Sequence, residues 1–153
     1  MDLSNNDISI LKTAMIDVIR GKILDEIVIF EAMECASPNH QVFQFRNNHI
    51  NGEFDMVIRN DDENISTLYE IKLSNACVEQ QARHIRNDDM IDSYTYYFGD
   101  IADRIILYRG DDHIAEDGVR WQNVESFLIN MAQEFPVVSR DMNDPERACP
   151  SFH

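Results

Sequence analysis

In STLYEIKLS, residues 66 to 74, a carboxylate and an ammonium stand two residues apart, Glu70 and Lys72, inside an otherwise β-like run. On a strand, positions i and i+2 point to one face. Glu70 and Lys72 are therefore expected side by side with Leu68, while Tyr69, Ile71 and Leu73 face the other way. Alone, the pair reads as an ion pair on the wet face of a half-exposed strand. The preceding β-like run, EFDMVIR (53 to 59), adds Asp55 between Phe54 and Met56. Asp is depleted in strands and costly to bury without a partner. If the two runs form a hairpin, Asp55 meets Glu70 and Lys72.

Two chemistries suit such a trio. One is a structural salt bridge from Asp55 to Lys72. The other is a metal site. Two strand carboxylates, the backbone carbonyl of Ile71 and several waters make an all-oxygen octahedral shell, the preference of Mg²⁺ or Mn²⁺. Such an ion polarises a phosphoryl oxygen and lowers the pKa of water, and Lys72 can orient that water and offset developing charge. Asp25 and Glu26, in the first turn of an expected helix, each offer a further carboxylate.

The elements that must position these groups follow from periodicity and punctuation. Ile8, Leu11, Met15, Val18 and Ile19 predict a helix over 5 to 19, with Asn5 or Asn6 as N-cap, interrupted at Gly21. A second helix is predicted over 22 to 35, with Ile23, Ile27, Phe30 and Glu34 on one stripe and Leu24, Val28 and Glu31 beside it. Ser37-Pro38-Asn39 ends it. Three β-like runs (41 to 46, 53 to 59, 66 to 74) are joined by the turn-rich NNHING and NDDENI, as in consecutive hairpins. A helix is predicted over 76 to 88, a buried strand over 104 to 110, a short strand over 118 to 122 and a closing helix over 124 to 135. From Pro136 onward the tail has little periodicity and is expected to be loosely held.

The totals bound the function. At 153 residues the chain suits one core-bearing domain, and 44% hydrophobic with 27% charged residues is ordinary for a globular protein. Three cysteines without C-x-x-C spacing and scattered histidines argue against a disulfide framework and against zinc. With no membrane span and no secretory signal, a cytoplasmic protein is expected. No P-loop, serine-nucleophile or EF-hand order is present. The net charge of −15 repels phosphate backbones, so a nucleic-acid function requires a divalent metal, a confined basic patch or a basic partner.

Taken in order, GKILDEIVIFE, NGEFDMVI and LYEIKLS resemble the PD-(D/E)XK nuclease superfamily. More narrowly they are similar to the C-terminal domain of a group of archaeal and bacterial AAA-type ATPases of poorly known function. Gly21 and Glu26 match the first piece with a shift of about one residue, Glu53-Phe54-Asp55 the second and Glu70 to Ser74 the third. RIILYRG and GVRWQNVESFL resemble that group's ending, so the likeness covers roughly residues 15 to 130. No proline precedes Asp55, unlike the superfamily's name pattern.

The resemblance implies an α/β fold with a restriction-endonuclease-like α-β-β-β-α-β core, its mixed central sheet flanked by helices. Residues 1–20 would form an N-terminal helical segment or linker remnant, 21–135 the nuclease-like domain and 136–153 the tail. Asp55 and Glu70, with the Ile71 carbonyl, would be metal ligands, Lys72 the catalytic lysine, and Glu26 an accessory acid and ligand. Gln80 would support the site. In the predicted helix over 76 to 88, Gln80, Gln81, Arg83, His84 and Arg86 cluster, and Arg83, Arg86 and Arg46 are the candidate nucleic-acid contacts. The expected activity is Mg²⁺- or Mn²⁺-dependent phosphodiester hydrolysis, in DNA more than RNA. The alternative is a non-catalytic module that contacts protein, including an AAA-type ATPase partner or parent chain. An oligomer is compatible with either.

Overall fold

One long helix precedes three antiparallel strands, and the chain then crosses over to build the parallel half of the same sheet. The computed structural model describes residues 4–134. Its elements are α1 (Asn5–Cys35), β1 (His40–Asn47), β2 (Gly52–Asn60), β3 (Ile65–Ile71), α2 (Asp88–Phe98), β4 (Asp100–Tyr108), β5 (His113–Ile114), β6 (Arg120–Asn123) and α3 (Val124–Glu134). The six-stranded sheet runs β1-β2-β3-β4-β6-β5. The β1–β2, β2–β3 and β5–β6 pairs are antiparallel, whereas β3–β4 and β4–β6 are parallel. The fold is thus mixed α/β with helices on both faces.

Each face carries its own core. On one side Val28 and Ala32 of α1 and Val124 and Phe127 of α3 pack on Met56, Tyr69, Ile71, Ile105 and Leu107. On the other, Ala82, Ile85, Met90 and Tyr94 cover Phe54, Val57, Leu68 and Ile106, with Trp121 buried against Tyr108. Parallel strands are usually buried on both faces, and the apolar run IILY of β4 is buried throughout.

Three element assignments differ from the sequence reading. First, α1 is continuous through Gly21, and its N-cap is Ser4, whose side chain forms a capping box with Asp7. One glycine in an exposed helix interior costs only about 1 kcal/mol relative to alanine, which flanking turns absorb. The expected boundary between residues 20 and 21 therefore falls inside one helix. Second, the buried stripe of α1 is Val28, Ala32 and Cys35, while Ile23, Ile27 and Phe30 are exposed. Both stripes are apolar, so periodicity alone left the phase open.

Third, residues 76–88 are not one α-helix. A single 3₁₀ turn spans Glu79–Ala82, and the helix starts at Asp88, after Asn87 accepts the Met90 N–H as N-cap. Two acids in its first turn favour that start. The aromatic run TYYF forms the last turn of α2. It ends at Gly99, whose φ of 89° suits a residue without Cβ. β5 had no sequence signal beyond two residues. The expected tail, 136–153, and Cys149 lie outside the described residues; Cys35 and Cys77 are free thiols.

Candidate active site

Asp55 owes its position to an irregularity in β2. Phe43 of β1 pairs with Val57 and Phe45 with Phe54, so two steps of β1 oppose three of β2. This β-bulge breaks strict alternation: Phe54 and Val57 join one core and Met56 the other. Bulges re-aim side chains and terminate pairing, and here the β2–β3 ladder ends at Met56↔Tyr69. Beyond that point the Asp55 carboxylate replaces the missing backbone partner, its Oδ2 accepting the Ile71 N–H at 2.8 Å.

β3 runs past this gap and carries Glu70, with Lys72 just beyond its last residue. Lys72 stays tied to β4, its N–H donating to the Leu107 carbonyl at 2.8 Å. Its Nζ lies 3.0 Å from Glu70 Oε2 and 3.3 Å from Asp55 Oδ2. Asp55, Glu70 and Lys72 therefore converge, and the ion pair from Asp55 to Lys72 is present as well. The Glu70 side chain is only 1% exposed, and its Oε1 has no hydrogen-bond partner among the described residues. A buried, unpaired carboxylate oxygen is an energetically expensive feature.

The electrostatics record a surplus of negative charge. Burial, then the neighbouring Asp55, pushes the Glu70 carboxyl up to about 8, with Lys72 pulling the other way. Burial, then Asp55, likewise raises Asp25 to about 7. For Lys72, burial lowers the pKa, but the carboxylates of Glu70 and Asp55 outweigh it and hold the ammonium above its ordinary value. One ammonium is shared among three acids, so protons remain on the cluster near neutral pH. His84 Nδ1 stands 3.8 Å from Glu70 Oε1. Burial, then Arg83 and Lys72, lowers its pKa, so at pH 7 it is a neutral neighbour.

The remaining candidates divide. On α1 it is Asp25 that feels Asp55 and Lys72, because it lies one turn before buried Val28; Glu26 is exposed and reaches only the cleft wall. Gln80 is exposed, whereas its neighbour Gln81 lines the cleft and accepts the Ser74 hydroxyl at 2.9 Å. Arg46 lines the cleft and pairs with Glu53 at 2.9 Å. Arg83 and His84 lie in a small adjoining depression that Arg46 also borders. Arg86 is engaged elsewhere, bonded to Asp117 at 2.8 Å and to Glu79. Sequence reasoning missed Gln81 and His84 as site neighbours, since the expected helix gave no means of separating them from Gln80 and Arg86.

Of the trio, Lys72 lines an open cleft of about 1800 Å³ between α1, β1 and the segment after β3, and Asp55 and Glu70 reach it through their ion pairs with Lys72. Arg20, Lys22, Arg46, Lys72 and Arg109 line it, beside Asp17, Asp25, Glu26 and Glu53. Five of the chain's 13 basic side chains thus gather in one place. Among the described residues no group of three or more His, Cys, Asp or Glu side chains is arranged to hold a metal ion. Comparison of the chain with protein-family models, with curated proteins and with solved structures returns no match.

Proposed function

We propose that this chain is a divalent-metal-dependent phosphodiesterase of the PD-(D/E)XK type acting on nucleic acid, DNA in the first instance. The observation that carries the reading is the convergence of Asp55, Glu70 and Lys72 at one end of the β2–β3 pair, with Glu70 buried and its Oε1 unpartnered. The order α1-β1-β2-β3-α2-β4 supports the restriction-endonuclease-like assignment, and the five basic side chains of the cleft answer the repulsion expected at −15.

The residues suit Mg²⁺ or Mn²⁺. Asp55, Glu70 and the Ile71 carbonyl offer oxygen only, and the raised Asp25 and Glu70 acids mark a place where positive charge is short. When bound, such an ion supplies Lewis-acid polarisation of a phosphoryl oxygen and a more acidic water. The chain's own groups do the rest. Lys72, held cationic by Glu70 and Asp55, hydrogen-bonds the attacking water and balances charge on the phosphorane-like transition state. Asp55 keeps Lys72 and the Ile71 N–H in register, and Asp25 takes the position assigned by resemblance to Glu26. Arg46 and Arg109 hold phosphates flanking the scissile one.

Calorimetric titration of Mn²⁺ into wild type, Asp55→Asn and Glu70→Gln at neutral pH tests this. Binding in the wild type that is lost in both variants, with metal-dependent cleavage of DNA, supports the proposal. Absence of binding in the wild type overturns it. The second reading, a non-catalytic nuclease-fold module contacting an ATPase or another protein, then stands, favoured by the lack of a ready three-ligand group among the described residues.

A further inference from the structure

Helix α1 has two apolar faces, and the sheet uses only one. Val28, Ala32 and Cys35 are buried. At about 3.6 residues per turn, Ile8, Met15, Ile19, Ile23 and Phe30 fall on the opposite side with Leu11 and Ile27 on its two flanks, and their exposures run from 38 to 64%. Every residue from Ser4 to Arg20 is exposed, so no described residue buries the first half of the helix. Helices in proteins gain most of their stability from packing an apolar face, and β-branched isoleucine and valine lower intrinsic propensity here. An apolar stripe of this size marks an interaction surface.

From this stripe we infer that two copies of the chain associate through α1 as an antiparallel helix pair centred on Ile19. The spacing of the seven residues reads 3, 4, 4, 4, 4, 3 and is therefore symmetric about Ile19. A twofold axis there sets Ile8 against Phe30 of the second copy, Leu11 against Ile27, Met15 against Ile23, and Ile19 against itself. The same register places Lys12 opposite Glu26, twice by symmetry. A parallel pair in register would instead oppose Lys12 to Lys12 and Glu26 to Glu26. An isologous interface demands such self-complementarity, and i, i+3/i+4 stripes pack as ridges in grooves. The overlap from Ile8 to Phe30 spans about 33 Å at ~1.5 Å per residue, with an apolar area approaching the roughly 800 Å² per partner of a standard interface. Phe30 and Glu26 also line the cleft, so the pair borders its rim, while Asp55, Glu70 and Lys72 take no part in it.

Sedimentation equilibrium and light scattering on the full chain at micromolar concentration test the inference. The wild type is expected to have the mass of two chains. Ile19→Glu, which sets two carboxylates against each other at the axis, is expected to give one chain with unchanged near-ultraviolet circular dichroism. Lys12→Glu is expected to weaken the dimer at least tenfold, and Lys12→Glu combined with Glu26→Lys to restore it; restoration is a readout that mere damage to the helix cannot produce. A monomeric wild type overturns the inference, whether it remains free or takes up neutral lipid vesicles through the stripe. A dimer indifferent to Ile19→Glu, or one not restored by the double reversal, overturns it too.

Discussion

Glu70 is the residue on which the site's energetics turn. Its carboxyl is buried beside Lys72 and His84, and its pKa rises to about 8 in the fold against an ordinary value of 4.5. Between those values the folded state holds a proton that the unfolded state releases. Stability therefore falls as pH rises through this window, and Asp25, raised to about 7, adds to the same slope. Without metal, the melting temperature is expected to be highest near pH 5 and to drop steadily toward pH 8. Glu70→Gln is expected to flatten that drop, and saturating Mn²⁺ to reverse it in the wild type only. Thermal melts across pH 5 to 8 check all three; a wild-type profile as flat as that of Glu70→Gln would remove the surplus-charge account of the cluster. Asp55 behaves differently because it also holds the Ile71 N–H. Asn can still accept that bond whereas Ala cannot, a loss of about 1–3 kcal/mol.

At the scale of elements, the register shift in β2 and the continuity of α1 matter most. The bulge at Asp55 ends the β2–β3 ladder two pairs short of the end of β3 and opens the gap that the carboxylate fills. Continuity of α1 through Gly21 lets Arg20 and Lys22 line the same cleft as Asp25. A Cβ at Gly21 meets no atom within 4 Å, so Gly21→Ala is expected to stabilise the protein by about 0.5–1 kcal/mol, chiefly through the unfolded chain. Urea unfolding measures this directly; a destabilised Gly21→Ala variant would mean that the helix does break there. Asn87-Asp88-Asp89 is a helix start, and reading it as a helix end displaced the whole element by about three turns.

For the whole molecule, the proposed function requires a chain of −15 to attract a polyanion. The basic side chains are unevenly used: Arg86 is bound to Asp117 and Glu79, while Arg109 and Arg46 face the cleft. In a fluorescence titration with a short DNA duplex in Ca²⁺, Arg109→Ala is expected to weaken binding several-fold and to reduce the salt slope by about 0.9. Arg86→Ala is expected to leave both unchanged. Equal effects from the two substitutions would dissociate DNA binding from the cleft. No helix among the described residues is long and apolar enough to cross a membrane.

By itself the sequence determined the alternation of helical and β-like segments, the hairpins around NNHING and NDDENI, and the juxtaposition of Asp55 with Glu70 and Lys72. These depend on periods of 2 and 3.6 and on turn chemistry, which are local. Only the tertiary structure decided which stripe of α1 packs inward, and hence that Asp25 rather than Glu26 faces the cluster. It also decided where β2 bulges, which glutamine reaches the cleft, and that Glu70 is desolvated. Periodicity specifies how often a side chain returns to a face. The identity of the covering surface is set by segments tens of residues away, and both helix phase and burial depend on it.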